Sequence, residues 1–86
     1  MSTKIEIYTG PICNYCDMAK ELLNNIGAEF IEIELSKYPD KKKEMLQRTG
    51  GRKKVPQIFI NNKLIGGFNE LRSLKLSGEL NKMLDL

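Results

Sequence analysis

YTGPICNYCDMAKELL, residues 8–23, carries both cysteines of the chain, Cys13 and Cys16, with only Asn14 and Tyr15 between them. Just upstream, KIEIYT alternates Ile5 and Ile7 with Lys4 and Glu6, the period of a β-strand. Downstream, Tyr15, Met18, Ala19, Leu22, Leu23 and Ile26 recur at helical spacing, and Gly27 is a helix stop. The stretch therefore reads as strand, loop, helix. Cys13 falls at the loop-to-helix junction and Cys16 in the first helical turn. Glu6 resists this reading, because a central strand offers a carboxylate no evident place.

Farther out, EFIEIEL sets Phe30, Glu32 and Glu34 against Ile31, Ile33 and Leu35. One wet face suits an edge strand. A short basic helix is expected from about residue 39 to residue 49, with Pro39 suited to the first helical position and Gly50-Gly51 ending it. PQIFIN and KLIGG read as two strands joined by a tight turn at Asn61-Asn62. Two short helices close the chain, at about 69–76 and 78–84. The order βαβαββα with a short C-terminal helix predicts an α/β domain, one four-stranded mixed sheet flanked by helices. No repeat, linker or low-complexity segment divides it, so residues 1–86 read as a single domain.

With 86 residues, 41% of them hydrophobic, the chain is expected to be globular, with a small core and modest stability. No run approaches the roughly 18 apolar residues of a membrane span. MSTKIEIYTG lacks the apolar stretch and cleavage site of a secretory signal. A cytoplasmic setting without a membrane partner is expected. In that reducing compartment structural disulfides are uncommon, and a bridge from Cys13 to Cys16 would constrain little unfolded-chain entropy. A structural zinc site takes four Cys or His ligands. Two cysteines and no histidine would need carboxylates or a second subunit to complete it. A cytosolic CxxC pair favours redox chemistry, with an inert or metal-bound pair as the alternative. The net charge of +3 is too small, and the aromatics too sparse, for a nucleic-acid footprint.

A helix start gathers unpaired N–H groups and the positive end of the helix dipole. The dipole effect of about 0.3–2 kcal/mol, against about 1.4 kcal/mol per pKa unit, takes a thiol from about 8.5 to about 7–8. A lower value requires hydrogen bonds or nearby cations. Cys13 is read as the nucleophile. Cys16, tucked against the helix, is read as the resolving thiol that attacks back and releases a bound partner.

These residues, with KKVPQIFINNKLIGG and GGFNEL, resemble a glutaredoxin of the dithiol class over nearly the whole chain. A lone CxxC would be weak. CxYC followed about forty residues later by VPQIFI, and then by IGG before a helix, is specific. Thioredoxin is a worse match, since its Trp-Cys-Gly-Pro-Cys is absent and the chain has no Trp. The resemblance implies a thioredoxin-like fold. It also implies a glutathione-dependent oxidoreductase that reduces glutathione mixed disulfides and protein disulfides, with glutathione as reductant and no tightly bound cofactor. Cys13 would attack the mixed disulfide. Tyr15 would flank the bound glutathione, and the backbone of Val55 would pair with its cysteinyl part. Pro56 is implied to be cis, an isomer found in about 5–6% of X–Pro bonds. Gly67, Phe68, Asn69 and Glu70 match the helix start that receives the γ-glutamyl carboxylate and ammonium, a role that suits a helix N-terminus. Lys42 matches a position that reaches toward the glycyl carboxylate. The implied partners are glutathione and glutathionylated or disulfide-bonded proteins, and a monomer is expected unless a cluster is bound.

Each of these residues also has a plainer reading. Tyr15 opens an apolar helix stripe, Pro56 can start a strand, Gly66-Gly67 can be a turn, and Phe68 can be packing. Lys41, Lys42 and Lys43 can be a solvated face. Arg52, Lys53 and Lys54 form a second basic cluster that would steer an anionic tripeptide. Two positions depart from the family pattern. Asn14 stands where many dithiol members have Pro, and restores an N–H. Gly10 stands where Lys is frequent, which removes a cation, and Lys54, where Thr is usual, is placed to compensate. Asn14 also opens a different class of function: a dimer that holds a [2Fe–2S] cluster, with Cys13 of each subunit and two glutathiones as the four thiolates. A third reading pairs a thioredoxin-reductase-like flavoenzyme as donor with ribonucleotide reductase as acceptor. The glutathione-type helix start argues against it.

Overall fold

A computed structural model describes residues 3–86. The elements are β1 (Ile5–Thr9), α1 (Asn14–Asn25), β2 (Ile31–Glu34), α2 (Lys41–Thr49), β3 (Gln57–Ile60), β4 (Lys63–Gly66), α3 (Phe68–Ser77) and α4 (Glu79–Met83). Every expected element is present, in the expected order. The start of α2 differs: Pro39 lies in the turn before the helix, and Asp40 is the N-cap. The Lys41 N–H donates to the Tyr38 carbonyl and the Lys42 N–H to the Pro39 carbonyl, a tight lead-in turn of the kind that often precedes an α-helix.

The sheet order is β2-β1-β3-β4. β1 runs parallel to β2 and antiparallel to β3, and β3 runs antiparallel to β4. The parallel pair needs a crossover, which α1 supplies. β2 is an edge strand, as its wet face predicts. Its carboxylates are not idle, though. Glu32 accepts from the Thr9 hydroxyl at 2.8 Å and from Lys20 Nζ of α1 at 3.0 Å. Burial pushes the Glu32 carboxyl up, but these two donors outweigh it and hold the group below the usual range. At the other side of the sheet, Asn61 and Asn62 both have positive φ, 50° and 67°. Asn tolerates that region, and the pair closes the β3–β4 hairpin tightly.

Strand alternation gives the sheet two unlike faces. Ile5 and Ile7 of β1, with Ile58 and Ile60 of β3, form a core with Ala19 and Leu23 of α1, Leu71 of α3 and Leu80 of α4. These side chains are fully or almost fully buried, each worth about 1.5–3 kcal/mol for the larger ones. The opposite face carries Tyr8, Phe59 and Met45 of α2 as a smaller cluster, and Glu6 lies with them. Tyr8 and Phe59 meet edge to face, with ring centroids 6.0 Å apart.

The place of Glu6 follows from this arrangement. Arg48 of α2 reaches down onto the sheet. Its Nη2 lies 2.9 Å from Glu6 Oε1 and its Nη1 3.2 Å from Glu6 Oε2. The same Nη1 donates to the Tyr8 hydroxyl at 2.9 Å, and the guanidinium carbon sits 3.9 Å from the centroid of the Phe59 ring. A bidentate, stacked arginine is the geometry that makes a half-buried ion pair tolerable. The chain thus accepts a carboxylate in a central strand because α2 delivers its counter-charge.

Candidate active site

The redox pair sits where β1 hands over to α1. Ile12 has φ 49°, a rare conformation for a β-branched residue, and it turns the chain sharply into Cys13. Cys13 is the N-cap of α1, and its Sγ accepts from the Cys16 N–H at 3.2 Å. The first helical bond runs from the Asp17 N–H to the Cys13 carbonyl at 3.1 Å. A sulfur thus takes the position that a Ser or Asp oxygen usually takes at a helix start. Cys13 and Cys16 are joined as a disulfide with their Cα atoms 5.2 Å apart. Cys16 is fully buried, whereas Cys13 is partly open. Both placements match the sequence expectation of an outer and an inner cysteine.

Beside the pair, the Val55–Pro56 bond is cis. Cys13 Sγ stands 3.9 Å from the Val55 carbonyl oxygen. Sheet pairing begins only at Gln57, opposite Tyr8, so the backbone of Val55 lies before the ladder. Gly10 lies against this segment: a Cβ there would come within 3.2 Å of Val55 Cγ2. A side chain at position 10 would press on Val55, whose methyl would have to give by a few tenths of an ångström.

A groove of about 330 Å³ opens next to Val55 and Pro56. Tyr15 and Lys54 line it, as do Gly67, Phe68, Asn69 and Glu70 at the start of α3. The Tyr15 and Phe68 rings lie 6.2 Å apart at a tilt of 34°. Of the residues singled out from the sequence, the structure gathers all these around one groove. It does not bring Lys42 there. That residue is exposed in the first turn of α2 and is not among the groove-lining residues.

The α3 start is built from the Gly66-Gly67 pair. Gly66 has φ 118°, and a Cβ on it would come within 2.7 Å of Glu70 Oε1. The positive φ favours glycine, and a side chain there would also have to push aside the carboxylate end of Glu70. Glu70 folds back over its own helix start, its Oε1 accepting from the Gly67 N–H at 2.6 Å. The first helical bond of α3, from the Leu71 N–H to the Gly67 carbonyl, measures 3.1 Å. The N–H groups of Phe68, Asn69 and Glu70 therefore lie ahead of the helix's own bonding.

One lining residue escaped the sequence reading. Gln57 is 5% exposed, and its Nε2 donates to the Lys54 carbonyl at 2.9 Å. It pins the loop before the cis-proline. Its Oε1 is buried with no partner among the described residues. The signal was present in VPQIFI, where a lone amide opens an otherwise apolar strand. Among the described residues no cluster of His, Cys, Asp and Glu could hold a metal ion, and no helix is long and apolar enough to cross a membrane.

Comparison with known proteins agrees with this geometry. The glutaredoxin family model matches residues 5–65. Glutaredoxin 1 of Rickettsia conorii is 42% identical over 82 residues, spanning 94% of this chain and 80% of that protein. The solution structure of a glutaredoxin from Brucella melitensis is 44% identical, with TM-score 0.79, over 94% of this chain and 87% of that one. The crystal structure of a buckwheat glutaredoxin–glutathione complex is 31% identical, with TM-score 0.86, over 96% of this chain and 77% of that one. The sheet with its flanking helices is accordingly a thioredoxin-like fold. The CxxC pair in this setting is that of a thiol–disulfide oxidoreductase, and the chain belongs to the glutaredoxin family.

Proposed function

We propose that the chain is a glutathione-dependent disulfide reductase acting on glutathione mixed disulfides and protein disulfides in a reducing, cytoplasmic setting. The observation that carries this reading is the groove beside Cys13. It joins a strand-like backbone edge at Val55, two aromatic rings and a helix start in one concavity. An extended tripeptide matches those three features in turn. Its cysteinyl amide pairs with Val55, its apolar stem lies by Tyr15 and Phe68, and its γ-glutamyl carboxylate meets the N–H groups of Phe68 and Asn69. A carboxylate at a helix start is favoured by both hydrogen bonding and the helix dipole. Lys54 adds a cation at the rim. The solved complex of the buckwheat relative, which contains glutathione, supports the same ligand.

The reaction follows from the placement of the two sulfurs. The Cys13 thiolate, stabilised by the Cys16 N–H, attacks the glutathione sulfur of a mixed disulfide. A Cys13–glutathione bond forms, and the substrate leaves as a thiolate that takes up a proton. A second glutathione thiolate attacks the glutathione sulfur now bound to Cys13. Glutathione disulfide departs, and the Cys13 thiolate is restored. With a protein disulfide, Cys13 captures one sulfur and Cys16 displaces it, leaving the Cys13–Cys16 disulfide that two glutathiones then reduce. The buried position of Cys16 suits a thiol that meets only a partner already bonded to Cys13.

Cysteine substitutions separate the two roles. Turnover of a glutathionylated model disulfide is measured with glutathione, glutathione reductase and NADPH. Cys13→Ser should abolish it, and Cys16→Ser should keep most of it, because external glutathione can resolve the mixed disulfide. The reverse pattern would overturn the assignment. The absorption spectrum of protein reconstituted with iron, sulfide and glutathione tests the cluster-binding reading that Asn14 motivates. A coloured dimer that Cys13→Ser cannot form would support it.

A further inference from the structure

A second groove, also of about 330 Å³, runs between α1 and α3 on the far side of Phe68. Its walls are two helical stripes. Met18, Leu22 and Asn25 fall at i, i+4 and i+7 of α1, and Phe68, Arg72 and Leu76 fall at i, i+4 and i+8 of α3, so each set shares one face. Leu76 is 72% exposed and Met18 44%. Large apolar side chains held this open, side by side in a concavity, mark an interaction surface. Phe68 lines both grooves and lies against Tyr15, so the apolar floor is continuous from the redox site outward. The rim carries Arg72 and Lys75 against the single carboxylate Glu21.

We infer that this α1–α3 groove docks the polypeptide part of the disulfide substrate, taking an apolar side chain between Met18 and Leu76 with an acidic residue beside it. The inference rests on the reading of Cys13 as the attacking thiol, and does not require glutathione. From Cys13 the helix advances about 7 Å to Met18 and about 13 Å to Leu22. An extended chain covers those distances in about two to four residues at roughly 3.3 Å each. The apolar residue therefore lies two to four positions from the substrate cysteine. The excess of cations on the rim selects an acidic neighbour and makes docking weaken with salt.

The test uses two peptides that carry one cysteine as a mixed disulfide with thionitrobenzoate. One has Leu-Asp at the third and fourth positions on both sides of the cysteine, and the other has Ser-Ser. Cys13 of reduced Cys16→Ser protein attacks the peptide sulfur. A Cys13–peptide disulfide forms, and yellow thionitrobenzoate leaves. The Leu-Asp peptide should react about tenfold faster at sub-saturating concentration, the gain expected from burying about one large apolar side chain. Adding Met18→Ser and Leu76→Ser should cut that ratio to below about threefold, while the thionitrobenzoate disulfide of free cysteine reacts at an unchanged rate. Replacing Arg72 and Lys75 with Gln should remove the salt dependence of the ratio. Equal rates for the two peptides, or a ratio unmoved by the Met18/Leu76 pair, would overturn the inference. So would a dimer in sedimentation that Leu76→Ser dissolves, since the groove would then belong to a second copy of the chain. Failure of the glutathione-coupled assay with the peptide ratio intact would instead overturn only the glutathione reading.

Discussion

Two of the places where polar groups gather in this small domain treat them in opposite ways. On the α2 face of the sheet, Glu6, Tyr8 and Asn62 are all bonded to Arg48. Glu6 raises the affinity of the guanidinium for its proton, and burial pushes the Tyr8 hydroxyl up despite Arg48 beside it. Each partner is consumed by another part of the same chain. At the groove, by contrast, the N–H groups of the α3 start and the backbone of Val55 lie outside the helix and sheet ladders. The Cys13 sulfur there is partly open to solvent and bonded to its neighbour Cys16. The first arrangement is closed and holds α2 on the sheet. The second is open and has capacity left for a ligand. Position in the fold, rather than polarity, separates a structural cluster from a site.

The sharpest way to break this comparison is to open the closed cluster. Arg48→Ala leaves the Glu6 carboxylate beside Tyr8 with only the exposed Lys4 ammonium, 3.9 Å away, as counter-charge. Removing one partner of a buried pair costs about 3–5 kcal/mol. The side chains here remain 21% and 11% exposed, so we expect about 2–3 kcal/mol, read from urea denaturation of the reduced protein. The reaction rate of Cys13 with a small disulfide should stay within about twofold. The double change Glu6→Leu with Arg48→Met should restore most of the stability. A stable Arg48→Ala protein with slowed Cys13 chemistry would mean the cluster serves the site.

Glu70 sharpens the comparison, because it belongs to both kinds of place. It caps its own helix through the Gly67 N–H and also lines the groove. Glu70→Gln keeps a capping acceptor and should cost less than about 0.5 kcal/mol of stability. Glu70→Lys loses the cap, at about 1 kcal/mol, and places a cation where the glutathione ammonium is proposed to sit. We expect KM for glutathione to rise about tenfold with Lys and much less with Gln. Equal KM values for the two variants would confine Glu70 to capping.

The smallest effect separates two lysines. Lys54 lines the groove and Lys42 does not. An exposed ion pair is worth about 0.2–1 kcal/mol, so Lys54→Ala should weaken glutathione use by no more than about fivefold. The loss should be larger at low salt than at high salt. Lys42→Ala should be near neutral. A larger, salt-sensitive loss for Lys42 would show that α2 supplies the glycyl-carboxylate cation after all.

The sequence by itself determined the order of elements, the edge position of β2 and the chemistry of the CxxC pair. These are local matters: periodicity, glycine stops, and a cysteine at a helix start act over a few residues. Its likeness to a family also pointed to the residues of the groove, though not to Gln57. The tertiary structure decided what depends on distant partners. Glu6 looked misplaced because its partner, Arg48, lies 42 residues along the chain, and no local pattern links a strand carboxylate to a helix arginine. Lys42 and Lys54 looked equivalent as basic residues until the groove took one and left the other on a solvated turn. Gly10 looked like a lost cation until Val55 was found against it. In each case side chains far apart in sequence compete for the same space or charge, and only the folded sheet brings them within reach of one another.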